Sequence, residues 1–77
     1  MYIATLDSLK VGETLCFFRK QKGISQDTPS GLADIGRSHL SAIERGVRKP
    51  TLETLYRICN ALGIKMSTFI IKLEETL

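Results

Sequence analysis

The sequence predicts an all-α fold built from five short helices. Apolar residues recur at intervals of three and four, as on one face of a helix, and no stretch alternates long enough to predict a strand. Capping residues precede these periodic stretches, and glycine follows several of them. A chain of 77 residues rarely holds more than one core, so we expect a single domain over residues 1–77.

The first helix follows a short N-terminal arm, residues 1–6, which is either extended or disordered. Asp7 or Ser8 can cap this helix, and Gly23 is the small residue favoured just past a helix end. Three apolar residues, spaced four and three apart, form its buried face: Val11, Leu15 and Phe18. The first helix is therefore expected to end just before Gly23.

Two shorter helices follow. The second is predicted from about Ser25, a good capping residue, to about Ala33, and the third from about Arg37 to Arg45 with Gly46 after it. The third helix places Leu40 and Ile43 three residues apart on one face. We expect that face to be buried.

The last two helices are also marked by their ends. Pro50 prevents the third helix from continuing, Thr51 caps a fourth, and Gly63 closes it. The buried face of the fourth helix contains Leu55, Ile58, Cys59 and Leu62. Ser67 is predicted to cap a fifth helix over residues 68 to about 75.

The composition argues against several classes of protein. No apolar run exceeds four residues, whereas a membrane helix needs roughly 18, and no secretory signal begins the chain, so we expect a cytoplasmic protein. Cys16 and Cys59 lie 43 positions apart and His39 is the single histidine, so we expect no metal site and no disulfide scaffold. Acid, base, nucleophile and cofactor-binding groups do not cluster, so we expect neither an enzyme nor a bound cofactor.

Positive charge is concentrated in the middle of the chain. Residues 19–50 hold seven basic and three acidic side chains, a net charge of +4, whereas the remainder holds four basic and five acidic ones, a net charge of −1. A local excess of this kind is expected of a nucleic-acid-binding surface. A solvated basic loop gives the same count, so charge alone leaves both interpretations open.

The second and third helices are joined by a turn of about three residues around Asp34 to Gly36, which makes residues 25–45 a helix-turn-helix candidate. If the later helix enters the major groove, its outward residues must reach base edges. The residues available for this are Arg37, Ser38, His39, Ser41 and Ala42. An ordinary pair of helices has similar spacing, so the spacing alone does not decide for DNA binding.

Four blocks of sequence identify a family. They are residues 15–26 (LCFFRKQKGISQ), 38–46 (SHLSAIERG), 50–55 (PTLETL) and 61–63 (ALG). In this order they resemble the Xre-type helix-turn-helix family of λ repressor and Cro, over about residues 9 to 71 without gaps. The length and last helix are also similar to the small controller proteins of restriction-modification systems. The resemblance implies a compact five-helix, λ repressor-like domain in which helices 2 and 3 form the motif.

The resemblance also implies roles for individual residues. Arg37, Ser38 and Ala42 match base-reading positions, with His39 and Ser41 alongside, and Arg37 is the strongest candidate because an arginine fork can bond both acceptors of a guanine. Gln26 matches a residue that contacts phosphate at a helix N-terminus. The other residues placed at phosphates are Lys20, Lys22, Arg45, Arg48 and Lys49. Arg19 and Glu44 match an internal salt bridge, so both are expected to be structural.

The first motif helix departs from the family pattern. Pro29 replaces a usual core leucine, Ser30 replaces a packing alanine, and Asp34 replaces the glycine of the turn. Proline and glycine inside a helix cost roughly 3 and 1 kcal/mol relative to alanine. Two interpretations reduce the cost of Pro29: it falls in the first turn, where its missing amide matters least, or Thr28 caps a later-starting helix with Pro29 as its first residue. Asp34 is among the few residues other than glycine that tolerate a left-handed conformation. We therefore predict a shortened or shifted helix.

The last helix, within residues 67–77, carries more apolar surface than one small core would bury. Its predicted dimer contacts are Phe69, Ile70, Ile71 and Leu73. The alternative is a helix packed entirely on its own core.

The expected function is that of a sequence-specific regulator of transcription that binds double-stranded DNA. A homodimer would place two recognition helices in successive major grooves, about 34 Å apart, on a pseudo-palindromic operator. The alternative is an antitoxin-type protein that binds a toxin and autoregulates through DNA. The protein partners left open are a toxin and RNA polymerase.

Overall fold

A computed structural model of the chain describes residues 4–77. Within this range the chain forms five α-helices and no strand, which confirms the all-α prediction. The helices are α1 Ser8–Gln21, α2 Asp27–Leu32, α3 Arg37–Glu44, α4 Leu52–Ala61 and α5 Met66–Thr76. Residues 1–3 of the predicted arm lie outside the described range, and residues 4–7 form no regular element. No helix between residues 4 and 77 is long and apolar enough to cross a bilayer.

Side-chain caps begin two of the helices as predicted. Asp7 Oδ1 accepts a hydrogen bond from the Leu9 amide at 2.9 Å, and Thr51 Oγ1 accepts one from the Thr54 amide at 3.0 Å. Each cap satisfies an amide that has no partner within its helix. Gly63, with φ of 72°, ends α4 in the left-handed conformation that favours glycine.

The predicted start of the fifth helix is wrong. Ser67 lies inside α5 and not at its cap, because α5 begins at Met66 after an extended Lys65 that makes no side-chain cap. Met66 packs against the core. Because the helix includes Met66, this residue lies on the same helix face as the buried Phe69, three residues later. Packing of this apolar face outweighs the capping preference of a serine.

The second helix is as short as predicted. It spans six residues, with Pro29 in its first turn and fully buried. Ser30 is also buried, and its hydroxyl donates to the Asp27 carbonyl at 3.1 Å, which satisfies the polar group that replaces a packing alanine. The helix begins at Asp27, so the alternative in which Thr28 caps a later-starting helix is wrong. Pro29 lies in the first turn, where its missing amide removes no hydrogen bond from the helix interior.

One apolar core lies among the helices. α1 packs on α3 and α5, α2 packs on α3 and α4, and α4 packs on α5. The core contains Val11, Leu15, Phe18, Ala33, Leu40, Ile43, Leu55, Ile58, Cys59, Leu62, Phe69 and Leu73. Burial raises the pKa of the Cys59 thiol to about 11, so this thiol remains protonated at neutral pH.

Gly12 brings α1 and α3 together through their backbones. A Cβ at this position would overlap the carbonyl oxygens of Ile43 and Glu44, at the C-terminal end of α3. The absence of a side chain therefore sets how closely α3 rests on α1.

The last helix divides its apolar residues between the core and the surface. Phe69 and Leu73 are buried in the core of their own chain, so their assignment to a dimer surface is corrected. They are four residues apart, on the one face of α5 that meets the core. Ile70 and Ile71 are exposed and remain available to a partner.

Candidate nucleic-acid interface

The turn between α2 and α3 is closed by a non-glycine residue in a left-handed conformation. Asp34 has φ of 57°, as the sequence predicted it could. The Ile35 amide then donates to the Ser30 carbonyl at 3.0 Å, and the Asp34 amide donates to the Gly31 carbonyl at 3.2 Å. Asp34 thus supplies the sharp change of direction that sets α3 against α2.

A largely buried ion pair ties α3 to α1. Arg19 Nε lies 2.7 Å from Glu44 Oε2, and Arg19 Nη2 donates to Glu44 Oε1 at 2.9 Å. The side chains are 13% and 6% exposed, respectively. Arg19 Nη1 also donates to the Ile24 carbonyl at 2.9 Å, in the segment between α1 and α2. The predicted internal salt bridge between Arg19 and Glu44 forms, and the Arg19 guanidinium makes its contacts within the chain.

The ion pair also shifts the pKa values of both Arg19 and Glu44. Burial by itself would raise the pKa of the Glu44 carboxyl, but hydrogen bonds from Arg19 and Gln26 outweigh it and hold this pKa below its ordinary value of 4.5. The hydrogen bond to Glu44 raises the pKa of Arg19 further above its ordinary value. Both groups are therefore charged across the physiological range.

Gln26 joins this network, which the sequence did not predict. Its Nε2 donates to Glu44 Oε1 at 3.1 Å. An amide nitrogen has two hydrogens, so one N–H is engaged by Glu44 and the other can still reach a phosphate. The phosphate role of Gln26 stays a prediction, and the structure adds a positional role that links α3 to the start of α2.

The exposed side of α3 borders a polar depression of about 290 Å³. Its lining residues are Gln26, Arg37, Ser38, Ser41 and Arg45. Four of the predicted DNA-contacting residues on α3 and its end thus lie beside the start of α2. Arg37, Ser38 and Arg45 are exposed, and Ser41 is half-buried. This arrangement offers hydrogen-bond donors to an acceptor-rich surface such as a DNA groove.

Two of the proposed base-reading residues, His39 and Ala42, do not line the polar depression. Ala42 is only 9% exposed, so the expectation that it faces outward is corrected. The chain after α3 turns back over this residue, and the Val47 and Arg48 amides donate to the Ala42 carbonyl at 2.9 and 3.3 Å. His39 is half-buried and does not line the depression, so its base contact stays a prediction.

The remaining basic candidates are exposed but lie outside the depression. Lys22 Nζ lies 3.9 Å from the position of a Cβ at Gly63, which places it by the turn between α4 and α5. Lys49 borders a separate apolar depression. The residues that the structure does not bring into the polar depression are Lys20, Lys22, Arg48 and Lys49. Their phosphate contacts stay predictions.

Sequence reasoning missed the acidic neighbour of Arg37. Arg37 Nε lies 3.3 Å from Asp27 Oδ1, and both side chains are exposed. The sequence signal was slight, because Asp27 and Arg37 are ten residues apart and meet only when the starts of α2 and α3 lie side by side.

A protein-family profile described as "Helix-turn-helix" matches residues 18–69, which include α2, α3 and α4. The chain belongs to this helix-turn-helix family. The match includes the turn at Asp34 and all five residues that line the polar depression, so the depression lies within the helix-turn-helix region.

Similar proteins agree with this membership. An HTH-type transcriptional regulator of Sinorhizobium fredii, y4dJ, is 33% identical over 66 residues, which is 86% of each chain. The crystal structure of the restriction-modification controller protein C.AhdI from Aeromonas hydrophila has a TM-score of 0.79 at 32% identity, covering 84% of this chain and 98% of that one. Several longer curated relatives are spanned only in part, over 46% to 60% of their length.

One of the similar structures includes DNA. The C.Esp1396I controller protein, a tetramer in complex with its natural 35 base-pair operator, has a TM-score of 0.84 at 25% identity, covering 94% of this chain and 95% of that one. The present chain therefore shares its fold with a restriction-modification controller protein that was crystallised in complex with its operator.

Proposed function

We propose that the chain is a sequence-specific regulator of transcription that binds double-stranded DNA as a homodimer, in the manner of the controller proteins. The observation that carries the proposal is the placement of Arg37, Ser38 and Ser41 on the open side of an α3 that Glu44 ties to α1. A fixed helix with exposed donors can read the major groove. The proposal assigns a binding role and no catalytic one, in the cytoplasm.

The proposal divides the basic residues into two roles. Arg37 at the start of α3 reads a base, whereas Arg48, exposed in the segment after α3, contacts phosphate. Base contacts discriminate among sequences, and phosphate contacts strengthen binding to every sequence.

Arg37→Ala and Arg48→Ala test this division. Selection of bound sequences from random duplex DNA, at a stated salt concentration, first defines the operator. Arg37→Ala is expected to lose about 1–3 kcal/mol on the operator and to relax the preference at one base pair. Arg48→Ala should weaken binding to operator and random DNA alike and lower the salt slope by about 1. Equal losses on both DNAs for both variants would contradict the division.

The homodimer is proposed to form through an apolar surface beside α5. Ile70 on α5, Leu52 at the start of α4 and Leu6 before α1 border one apolar depression of about 220 Å³. Leu52 is 74% exposed and Ile71, next to Ile70, is 61% exposed. Covering this surface would remove large apolar side chains from water.

Leu52→Gln tests the dimer. The substitution should raise the dissociation constant of the dimer by at least about tenfold, because burying a leucine contributes about 1.5–3 kcal/mol. Sedimentation across micromolar concentrations measures this constant. Leu32→Gln is the matched control, since Leu32 is 70% exposed on α2, which packs on α3 and α4. A wild-type chain that stays monomeric, or equal weakening by the two variants, would contradict this interface.

A further inference from the structure

Asp27 and Arg37 are the first residues of the two helices of the motif. Arg37 Nε lies 3.3 Å from Asp27 Oδ1, with the two side chains 64% and 70% exposed. Of the ion pairs between residues 4 and 77, only this one includes a residue that lines the polar depression. An acidic side chain therefore borders the surface proposed to face DNA.

We propose that Asp27 is a positioning residue that fixes the Arg37 guanidinium for base reading and so sets specificity. A guanidinium has five N–H donors in a planar fork. Asp27 lies beside the Nε of Arg37, and none of the hydrogen bonds within residues 4–77 uses the two terminal amino groups of Arg37. These are donors that can bond the O6 and N7 atoms of a guanine. The inference rests on the proposed function.

The Asp27 carboxylate is also expected to lower the affinity for DNA of any sequence. Its negative charge repels DNA phosphates and offsets part of the positive charge of Arg37. Asp27 is therefore expected to weaken binding to random DNA while it sharpens the choice among sequences. These two effects can be separated experimentally, because neutralising Asp27 moves them in opposite directions.

Two other roles for Asp27 predict different results. In the first role, Asp27 only stabilises α2 as an acidic residue in its first turn. Its loss would then change the melting temperature without changing base preference. As a direct acceptor from a cytosine amino group, its loss would relax preference at a base pair different from that of Arg37.

Asp27→Asn is compared with Asp34→Asn. Asp34 is exposed in the turn before α3 and has no ion pair in the described part of the chain, and asparagine also tolerates its left-handed conformation. Each variant removes one negative charge near Arg37. The readouts are the dissociation constant for random duplex DNA and the affinity ratio between the selected operator and an operator changed at the base pair that Arg37→Ala relaxes.

Both variants should bind random DNA more tightly, and only Asp27→Asn should lower the affinity ratio, by about two- to fivefold, the range that an exposed ion pair can contribute. In an Arg37→Ala background, Asp27→Asn should leave the ratio unchanged. An unchanged ratio, an equal fall in both variants, or a fall at another base pair would overturn the positioning role. A wild-type chain that binds selected and random DNA equally would instead overturn the proposed function, and this inference with it.

Discussion

Glu44→Gln is expected to lower the free energy of unfolding by about 3–5 kcal/mol, because removing one partner of a buried pair leaves the other charge without compensation. Arg19 is 13% exposed, so water cannot fully replace the lost carboxylate. Chemical denaturation at neutral pH measures the effect. The matched control is Glu53→Gln, which removes the same group from an exposed pair with Arg57, where we expect a loss of at most about 1 kcal/mol.

The contribution of Glu44 depends on pH in a defined direction. The pKa of this carboxyl is lower in the folded chain than its ordinary value of 4.5, so the unfolded chain binds the proton more readily. The stabilisation is complete above about pH 4.5 and is lost as the pH falls through the folded pKa. The difference in stability between wild type and Glu44→Gln should therefore narrow on acidification. A difference that stays constant down to acid unfolding would contradict the lowered pKa.

Gly12→Ala is expected to destabilise the chain by about 1–3 kcal/mol or more, although alanine is the better helix former by about 1 kcal/mol. The added Cβ would overlap two carbonyl oxygens of α3, and backbone atoms cannot turn aside as a flexible side chain can. α3 must then shift relative to α1. Thermal unfolding measures the loss of stability, and affinity for the operator should fall as well.

Gly31→Ala supplies the matched control for Gly12→Ala. Gly31 lies inside α2, and a Cβ there meets nothing within 4 Å. The same substitution should stabilise the chain, by up to about 1 kcal/mol. Opposite signs for the two variants would attribute the effect at Gly12 to helix packing, whereas equal stabilisation would show that α1 and α3 have room to separate.

Local signals predicted most of the fold. Asp7 and Thr51 cap their helices through contacts two or three residues away, and Asp34 carries its turn in its own backbone, so a single sequence contains the relevant information. The start of α5 was mispredicted because it depends on how Met66 packs against distant residues.

The site was less predictable where two elements meet. The periodicity of α5 does not say which of its apolar faces meets the core, so Phe69 and Leu73 could not be separated from Ile70 and Ile71. Ala42 is small enough for either environment, so the sequence alone does not predict that its side chain is buried. The contacts of Gln26 with Glu44 and of Asp27 with Arg37 depend on the angle between helices, which spacing along the chain does not contain.

The backbone contact at Gly12 has an evolutionary consequence. Main-chain atoms are common to every residue type, so the position of α3 on α1 does not depend on which side chains occupy its open face. If Arg37, Ser38 and Ser41 read bases as proposed, substitutions at these positions will change the preferred operator while the helix stays in place. After a gene duplication, two such regulators could diverge through a few substitutions and control separate promoters in one cell without interfering with each other.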